Sequence, residues 1–327
     1  MPPVLNDADS DRRWLIDYAR GQFPDATAAE AALRFARLDD PARDLAPYQT
    51  RLDDIARDLE RTIANVTGGA GDPDARDLAT ALQEVIPGYH GFQGDGDNYD
   101  DIGNASLMQV MDRKRGLPVA LSLLYLHAAA RCGIDMTGID FPGHFLLRLQ
   151  AGGERVLIDP FHDGMVLGAA ELRELLKAFH GLDAELQPEH YREASDIAVL
   201  LRLQNNIKVR AMRNGNLDLA LDVVERCLLI APDHGGLWHQ AGALYARVGR
   251  DKEALEAFEK FLTFNQDPTH RQRIKILIAE LTERLHPAPT PPSPAMPVSL
   301  HPAKSPARES RTPPDDSSPD DPAGQDR

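Results

Sequence analysis

Apolar side chains recur at helical spacing through roughly the first ninety residues of the chain. The clearest run places them three and four residues apart, at Leu52, Ile55, Ala56, Leu59 and Ile63. This is the spacing of an amphipathic helix that buries one face. The pattern stops at the glycines and proline of residues 68–73 and resumes to about residue 85. We therefore predict an N-terminal helical segment over residues 1–90 that packs on the part of the chain that follows.

A helix buried on every side is predicted for residues 119–131, which are apolar almost all round. Pro118 suits the first turn of this helix, because its missing N–H would have no helical acceptor there. Gly133 is a typical residue at which such a helix stops. A shorter helix is predicted over residues 104–112, with Asn104 as its N-cap.

Two strand-like runs follow, at residues 145–149 and 155–158, and the glycine-rich residues 151–153 separate them. This pattern is typical of a tight β-hairpin. If residues 151 and 152 form a two-residue loop, His144 lies directly opposite Asp159, within side-chain contact. A three-residue loop shifts the register by one and makes the two residues diagonal neighbours.

From about residue 200 the pattern becomes a repeat of 34 residues, which pairs Gly215 with Gly249 and Ala220 with Ala254. The large and small residues from Trp238 onward follow the tetratricopeptide pattern, in which small residues let paired helices approach closely. Two full repeats are fewer than the three or so that are stable alone, so we expect the repeats to dock against the core. A closing helix is predicted over residues 271–285.

The composition sets the class of protein. The chain has 327 residues, 42% of them hydrophobic, and a formal net charge of −15, which disfavours nucleic acid and anionic membranes as partners. Two cysteines in distant segments suit a reducing compartment. No signal peptide or membrane-spanning run is evident, so we expect a cytoplasmic protein. Residues 286–327 hold 12 of the 25 prolines and are expected to be disordered.

Four short motifs resemble the SirB family, whose members join a transglutaminase-like core to tetratricopeptide repeats. They are NASL at residues 104–107, RGLPVALS at 115–122, FPGHFL at 141–146 and IDPF at 158–161. The similarity covers about residues 45–285. It implies an α+β, mostly helical fold of the papain type, with a central helix against a small antiparallel sheet. Catalytic members of the superfamily open this helix with Gly-x-Cys, and a His and an Asp follow on neighbouring strands.

The resemblance places a proline where the catalytic thiol belongs. Residues 116–118 overlay Gly-x-Cys, so Pro118 replaces the nucleophile, while His144 and Asp159 match the other two positions. A thiolate in such a site is stabilised by the helix N-terminus and an imidazolium, which a carboxylate orients. The position that the chemistry needs most is therefore substituted.

Three other side chains are candidates to replace the thiol. Cys132 lies at the far end of the helix, about 21 Å from Pro118 at ~1.5 Å per residue. Cys227 occupies a core position of the repeat, because its counterpart one repeat later is Phe261. Ser122, one turn along from Pro118, is the remaining hydroxyl, and a buried packing serine is the alternative interpretation.

The pair of His144 and Asp159 has three interpretations. It is a structural or ligand-orienting contact, a working catalytic pair, or part of a nitrogen- and oxygen-rich metal site with His162 and Asp163. The first carries most weight, so we expect no metal and no cofactor.

The sequence predicts four segments, namely residues 1–90, a transglutaminase-like core at 91–195, helical repeats at 196–285 and the tail at 286–327. The leading hypothesis is a cytoplasmic regulatory protein with a pseudoenzyme core, whose repeats recruit a protein or peptide and which contacts neither nucleic acid nor membrane. The alternative is a cryptic, cysteine-less hydrolase or acyltransferase that uses His144 and Asp159.

Overall fold

The structure, a computed structural model, describes residues 7–66 and 72–286. The tail predicted for residues 286–327 lies, apart from His286, outside the described residues. The first four helices are α1 Asp7–Ala19, α2 Ala28–Asp39, α3 Ala46–Val66 and α4 Ala75–Gln83, and a π-helical turn at Glu84–Tyr89 follows α4. The predicted helical character of this segment is thus confirmed. No helix of the described ranges is both long enough and apolar enough to cross a membrane.

The N-terminal helices are joined by a buried ion cluster. The carboxylate of Asp11 on α1 is fully buried and accepts hydrogen bonds from Arg34 and Arg37 on α2, at 3.1 Å and 2.6 Å. Charge-assisted bonds of this kind hold two helices in a fixed geometry, because a buried carboxylate that loses its partners is costly.

At the centre lies α6, Pro118–Arg131, which follows the short α5, Leu107–Arg113. Pro118 occupies the first turn of α6 and Gly133 takes a left-handed φ of 69° just past its end, as predicted. The predicted N-cap of α5 is wrong. The N-cap is Ser106, two residues later than expected, because Asn104 is buried in a 3-10 turn, where its side chain donates to the carbonyl of Asn98 and accepts from Arg113.

An antiparallel sheet of five strands packs on α6. Its strands are β3 Asp135–Ile139, β4 Leu146–Ala151, β5 Glu154–Asp159, β6 Met165–Leu167 and β7 Glu193–Ala194, in the spatial order β6-β5-β4-β3-β7. The two-residue strands β1 Gln93–Gly94 and β2 Arg115–Gly116 pair in parallel nearby. One face of the sheet, with Leu147 and Ile158, joins the cluster around α6. The other, with Leu146, is covered by α7, Ala169–His180.

The predicted register of the β4–β5 hairpin is wrong by two residues. Ala151 pairs with Glu154 and Leu147 with Ile158, so the turn is Gly152-Gly153 and not residues 151 and 152. Both glycines have positive φ, 59° and 79°, which a two-residue hairpin turn of the primed type requires. A shift of two keeps every side chain on its predicted face, because the side-chain period of a strand is two.

Five helices complete the described chain. They are α8 Asp196–Arg213, α9 Leu217–Ile230, α10 Gly235–Arg247, α11 Asp251–Phe264 and α12 Pro268–Leu285. They form the predicted tetratricopeptide pairs and closing helix. At Gly242 of α10 an added Cβ would lie 2.6 Å from the ring of Phe258 on α11, so only glycine permits this close approach.

The first repeat helices are packed into the core. Leu200 and Leu203 of α8 and Val223 and Cys227 of α9 belong to the same buried apolar cluster as α2, α3 and α6. Arg226 of α9, which is nearly buried, adds an ion pair with the exposed Asp39 at the end of α2, at 2.5 Å. The expectation that the repeats dock against the core is therefore met by shared packing.

Candidate functional site

A cavity of about 470 Å³ opens at the start of α6, where the resemblance places the catalytic thiol. The connection between β3 and β4, the last turn of α7 and the middle of α8 form its other walls. Its lining includes Pro118, Phe141, His144, Phe179, Arg202 and Asn205. The volume lies within the range of small-ligand pockets.

His144 and Asp159 come together although neither lies within the β4–β5 strand pairing. The Nε2 atom of His144 is 2.8 Å from Oδ1 of Asp159. Asp159 is the last residue of β5, and His144 lies two residues before β4, so the corrected register still brings the two side chains within contact. With Nε2 bonded to the carboxylate, Nδ1 is the ring nitrogen left for another group. This is the arrangement of a carboxylate that orients a histidine.

The carboxylate of Asp159 is held from three sides. It is 1% exposed, and it accepts the backbone N–H of Phe161 at 2.9 Å in addition to His144. Nδ1 of His162 lies 2.7 Å from its second oxygen. Burial raises the pKa of Asp159, but the hydrogen bonds and charges of the two histidines outweigh burial, so its pKa lies below the ordinary value.

The turn that follows Asp159 lies so close to β1 that β1 needs a glycine there. A Cβ at Gly94 would stand 2.5 Å from the backbone oxygen of Phe161. Glycine therefore lets the turn lie against β1, where the ring of Phe161 also contacts His144 edge-on, with 6.3 Å between the centroids.

Pro118 stands buried at the first turn of α6 and lines the cavity. Ser122 is fully buried, and its hydroxyl donates to the carbonyl oxygen of Pro118 at 2.8 Å. That bond is the backbone contact that serine often makes four residues back in a helix. It fits a packing role better than a nucleophile, since a nucleophilic hydroxyl donates to a general base.

Neither cysteine belongs to the site. The thiol of Cys132 donates to the carbonyl of Ala56, 3.5 Å away, and burial raises its pKa to about 11. Burial likewise raises the pKa of Cys227, in the repeats, to about 12. Thiols with raised pKa values are poor nucleophiles near neutral pH.

Sequence reasoning missed the contribution of α8. Arg202 pairs with Asp140, and its second nitrogen donates to the backbone oxygen of His144 at 3.2 Å. The first repeat helix therefore holds the loop that carries His144 and supplies one wall of the cavity. The 34-residue spacing could not reveal this, because it assigns α8 to the repeats alone.

Comparison with known proteins agrees with this architecture. The pattern of the transglutaminase-like superfamily matches residues 46–205, and that of the tetratricopeptide repeat matches residues 207–279. The chain thus contains a transglutaminase-like domain followed by tetratricopeptide repeats, as predicted. The two matches meet inside α8.

Each of three curated relatives is longer than the region over which it aligns with this chain. The chain is 31% identical over 180 residues to a UPF0162 protein of Xylella fastidiosa, covering 53% of this chain and 62% of the relative. It is 32% identical over 179 residues to a UPF0162 protein of Pseudomonas aeruginosa, covering 54% and 65%. It is 27% identical over 217 residues to the F-box only protein 21 of Pongo abelii, covering 63% and 34%. The chain therefore spans less than two thirds of these relatives.

Proposed function

We propose that this chain is a cytoplasmic regulatory protein of the SirB type, with a pseudoenzyme core that binds a segment of a partner protein. The observation that carries the proposal is Pro118 at the start of the central helix. A proline side chain has no atom that can attack a carbonyl group, and the structure offers no thiol in its place among the described residues.

The cavity supports binding because two modules build it together. The core supplies His144 and Pro118, and α8 supplies Arg202 and the exposed Asn205. Asn205 also borders a second cavity, of about 140 Å³, between α8, α9 and α10. Lys208 lines this second cavity. A peptide lying along the repeats would reach the His144 cavity at Asn205. Tetratricopeptide repeats typically mediate protein–protein interaction, which agrees with this role.

Direct binding of nucleic acid is not part of the proposal. The net charge of −15 opposes contact with phosphates, because such contact needs a surface rich in lysine and arginine. We propose that any regulatory effect passes through a protein partner.

The proposed binding is tested by a point change in the cavity wall. Removing residues 200–285 would strip Leu200 and Leu203 from the core cluster and unfold the protein, so deletion is a poor test. We expect Asn205→Arg in the full chain to reduce at least tenfold the recovery of the proteins that the wild-type chain captures from a cell extract. Gln266→Arg, an exposed residue between α11 and α12, adds the same charge and is expected to change nothing. Equal recovery by all three proteins would refute a role for the cavity.

The alternative, a cysteine-less hydrolase or acyltransferase, is favoured by the 2.8 Å contact between His144 and Asp159. It requires hydrolysis of an activated acyl ester that His144→Ala abolishes while the melting temperature stays unchanged. A purified protein whose ester turnover is the same with and without His144 would exclude it and agree with the pseudoenzyme.

A further inference from the structure

We propose that His144, Asp159 and His162 form a binding site for a divalent transition-metal ion, of which zinc is the best match. One ligand atom from each side chain lies within 4.8 Å of the other two. No other group of three such side chains converges within residues 7–66 and 72–286. The proposal is independent of partner binding, and it replaces the expectation of no metal.

The distances suit a small ion after a modest rearrangement. Zinc binds histidine nitrogen and carboxylate oxygen at about 2.0–2.2 Å, so ligand atoms around a tetrahedral ion stand about 3.3–3.5 Å apart. Here the two histidine nitrogens are 2.8 Å and 2.7 Å from the oxygens of Asp159. To admit an ion, these two nitrogen–oxygen distances must lengthen slightly, and the distance between the two histidine nitrogens must shorten.

The site combines a fixed half and a movable half. Asp159 is buried, and the N–H of Phe161 fixes its first oxygen. His144 is 12% exposed, whereas the side chain of His162 is 55% exposed and can turn without disturbing the core. Metal ligands held by further hydrogen bonds in this way bind more tightly than free ones.

The donor set selects the class of ion. Two imidazoles and one carboxylate suit zinc and other first-row transition metals, whereas magnesium and calcium prefer oxygen ligands alone. Each histidine would bind the ion through the unprotonated nitrogen that faces Asp159. Three protein ligands leave one coordination position for water or a ligand group.

The test uses the full chain, freed of metal by a chelator and titrated with cobalt(II). We expect one equivalent to bind with the visible absorption of a four- or five-coordinate ion, and zinc to displace it. His162→Ala is expected to weaken binding by at least about tenfold. His162→Gln provides a second variant should the alanine protein fail to fold. His270→Ala removes an exposed histidine of α12 as the matched control and should keep the wild-type affinity.

Three results would overturn the proposal. They are the absence of stoichiometric binding by the wild-type protein, wild-type affinity in a folded His162 variant, and an equal loss of affinity in the His270 control. The titration uses no partner, so its outcome is separate from that of the capture experiment.

Discussion

Restoring a thiol at the start of α6 tests whether the remaining site is still in working order. In Pro118→Cys the new side chain sits in the first turn of α6, at the cavity that His144 lines. Three effects act on its pKa, which is about 8.5 in an unperturbed cysteine. The helix N-terminus and a protonated His144 lower it, whereas burial raises it.

The size of the shift separates these causes. A helix terminus stabilises a charge by about 0.3–1 kcal/mol and by at most about 2 kcal/mol. At about 1.36 kcal/mol per pKa unit, the helix alone lowers the thiol pKa by no more than about 1.5 units, to about 7. A pKa of the introduced thiol below about 7 therefore requires the charge of His144. We expect a value of about 5–7 in Pro118→Cys and above about 7 when His144→Ala is added.

The assay is the pH dependence of alkylation by iodoacetamide, followed by intact mass. The structure makes it selective, because burial raises the pKa values of Cys132 and Cys227 to about 11 and about 12. Loss of the proline should cost about 0.4–1 kcal/mol of stability, since the unfolded chain becomes freer. A thiol pKa at or above 8.5, or one that His144→Ala leaves unchanged, would refute the idea that the histidine is poised at the thiol position.

Two further predictions concern the frame of the site and the pH range of stability. Gly94→Ala places a Cβ against the backbone of Phe161 and should lower the free energy of unfolding by about 1–3 kcal/mol in urea melts. Gly96→Ala has open space around its Cβ and should change the free energy of unfolding by less than about 0.5 kcal/mol. Equal effects of the two changes would contradict the role given to β1. Burial lowers the pKa of His127 below its ordinary value, so the folded state favours the neutral imidazole. The contribution of His127 to the free energy of unfolding is therefore complete above about pH 6.5 and is lost as the pH falls through the pKa of the folded state. The pH dependence of the urea midpoint between pH 5 and 8 should be weaker in His127→Leu, and an unchanged slope would contradict this.

The order of elements around the site could be predicted from sequence, because strong local signals coincide there. A proline before an apolar run and a glycine after it define α6, and the 34-residue period defines the repeats. The hairpin register was predicted wrongly, because the turn was placed at residues 151 and 152, with a three-residue loop as the alternative, and it lies at residues 152 and 153. A two-residue primed turn needs positive φ at both central positions, which favours Gly152 and Gly153 over Ala151.

The sequence predicted the pair of side chains at the candidate site, but it did not predict the cavity around them. The motifs identified His144 and Asp159, and the metal-site interpretation added His162 and Asp163, of which only His162 joins the pair in the structure. The wall formed by Arg202 and Asn205 arises from the packing of α8 across more than fifty intervening residues, and no short-range pattern encodes such a contact.

The position of α8 limits how this protein could be recombined with others. Cutting the gene where the repeats begin in sequence would leave one fragment without a cavity wall and the other with an exposed apolar helix. The buried apolar residues shared with the core end at Leu237 on α10, and the apolar cluster of α11 and α12 packs against α10. A chimera with its crossover near Gly249 would keep the ligand cavity intact, provided that the incoming helix restores the close packing of Phe258 on Gly242.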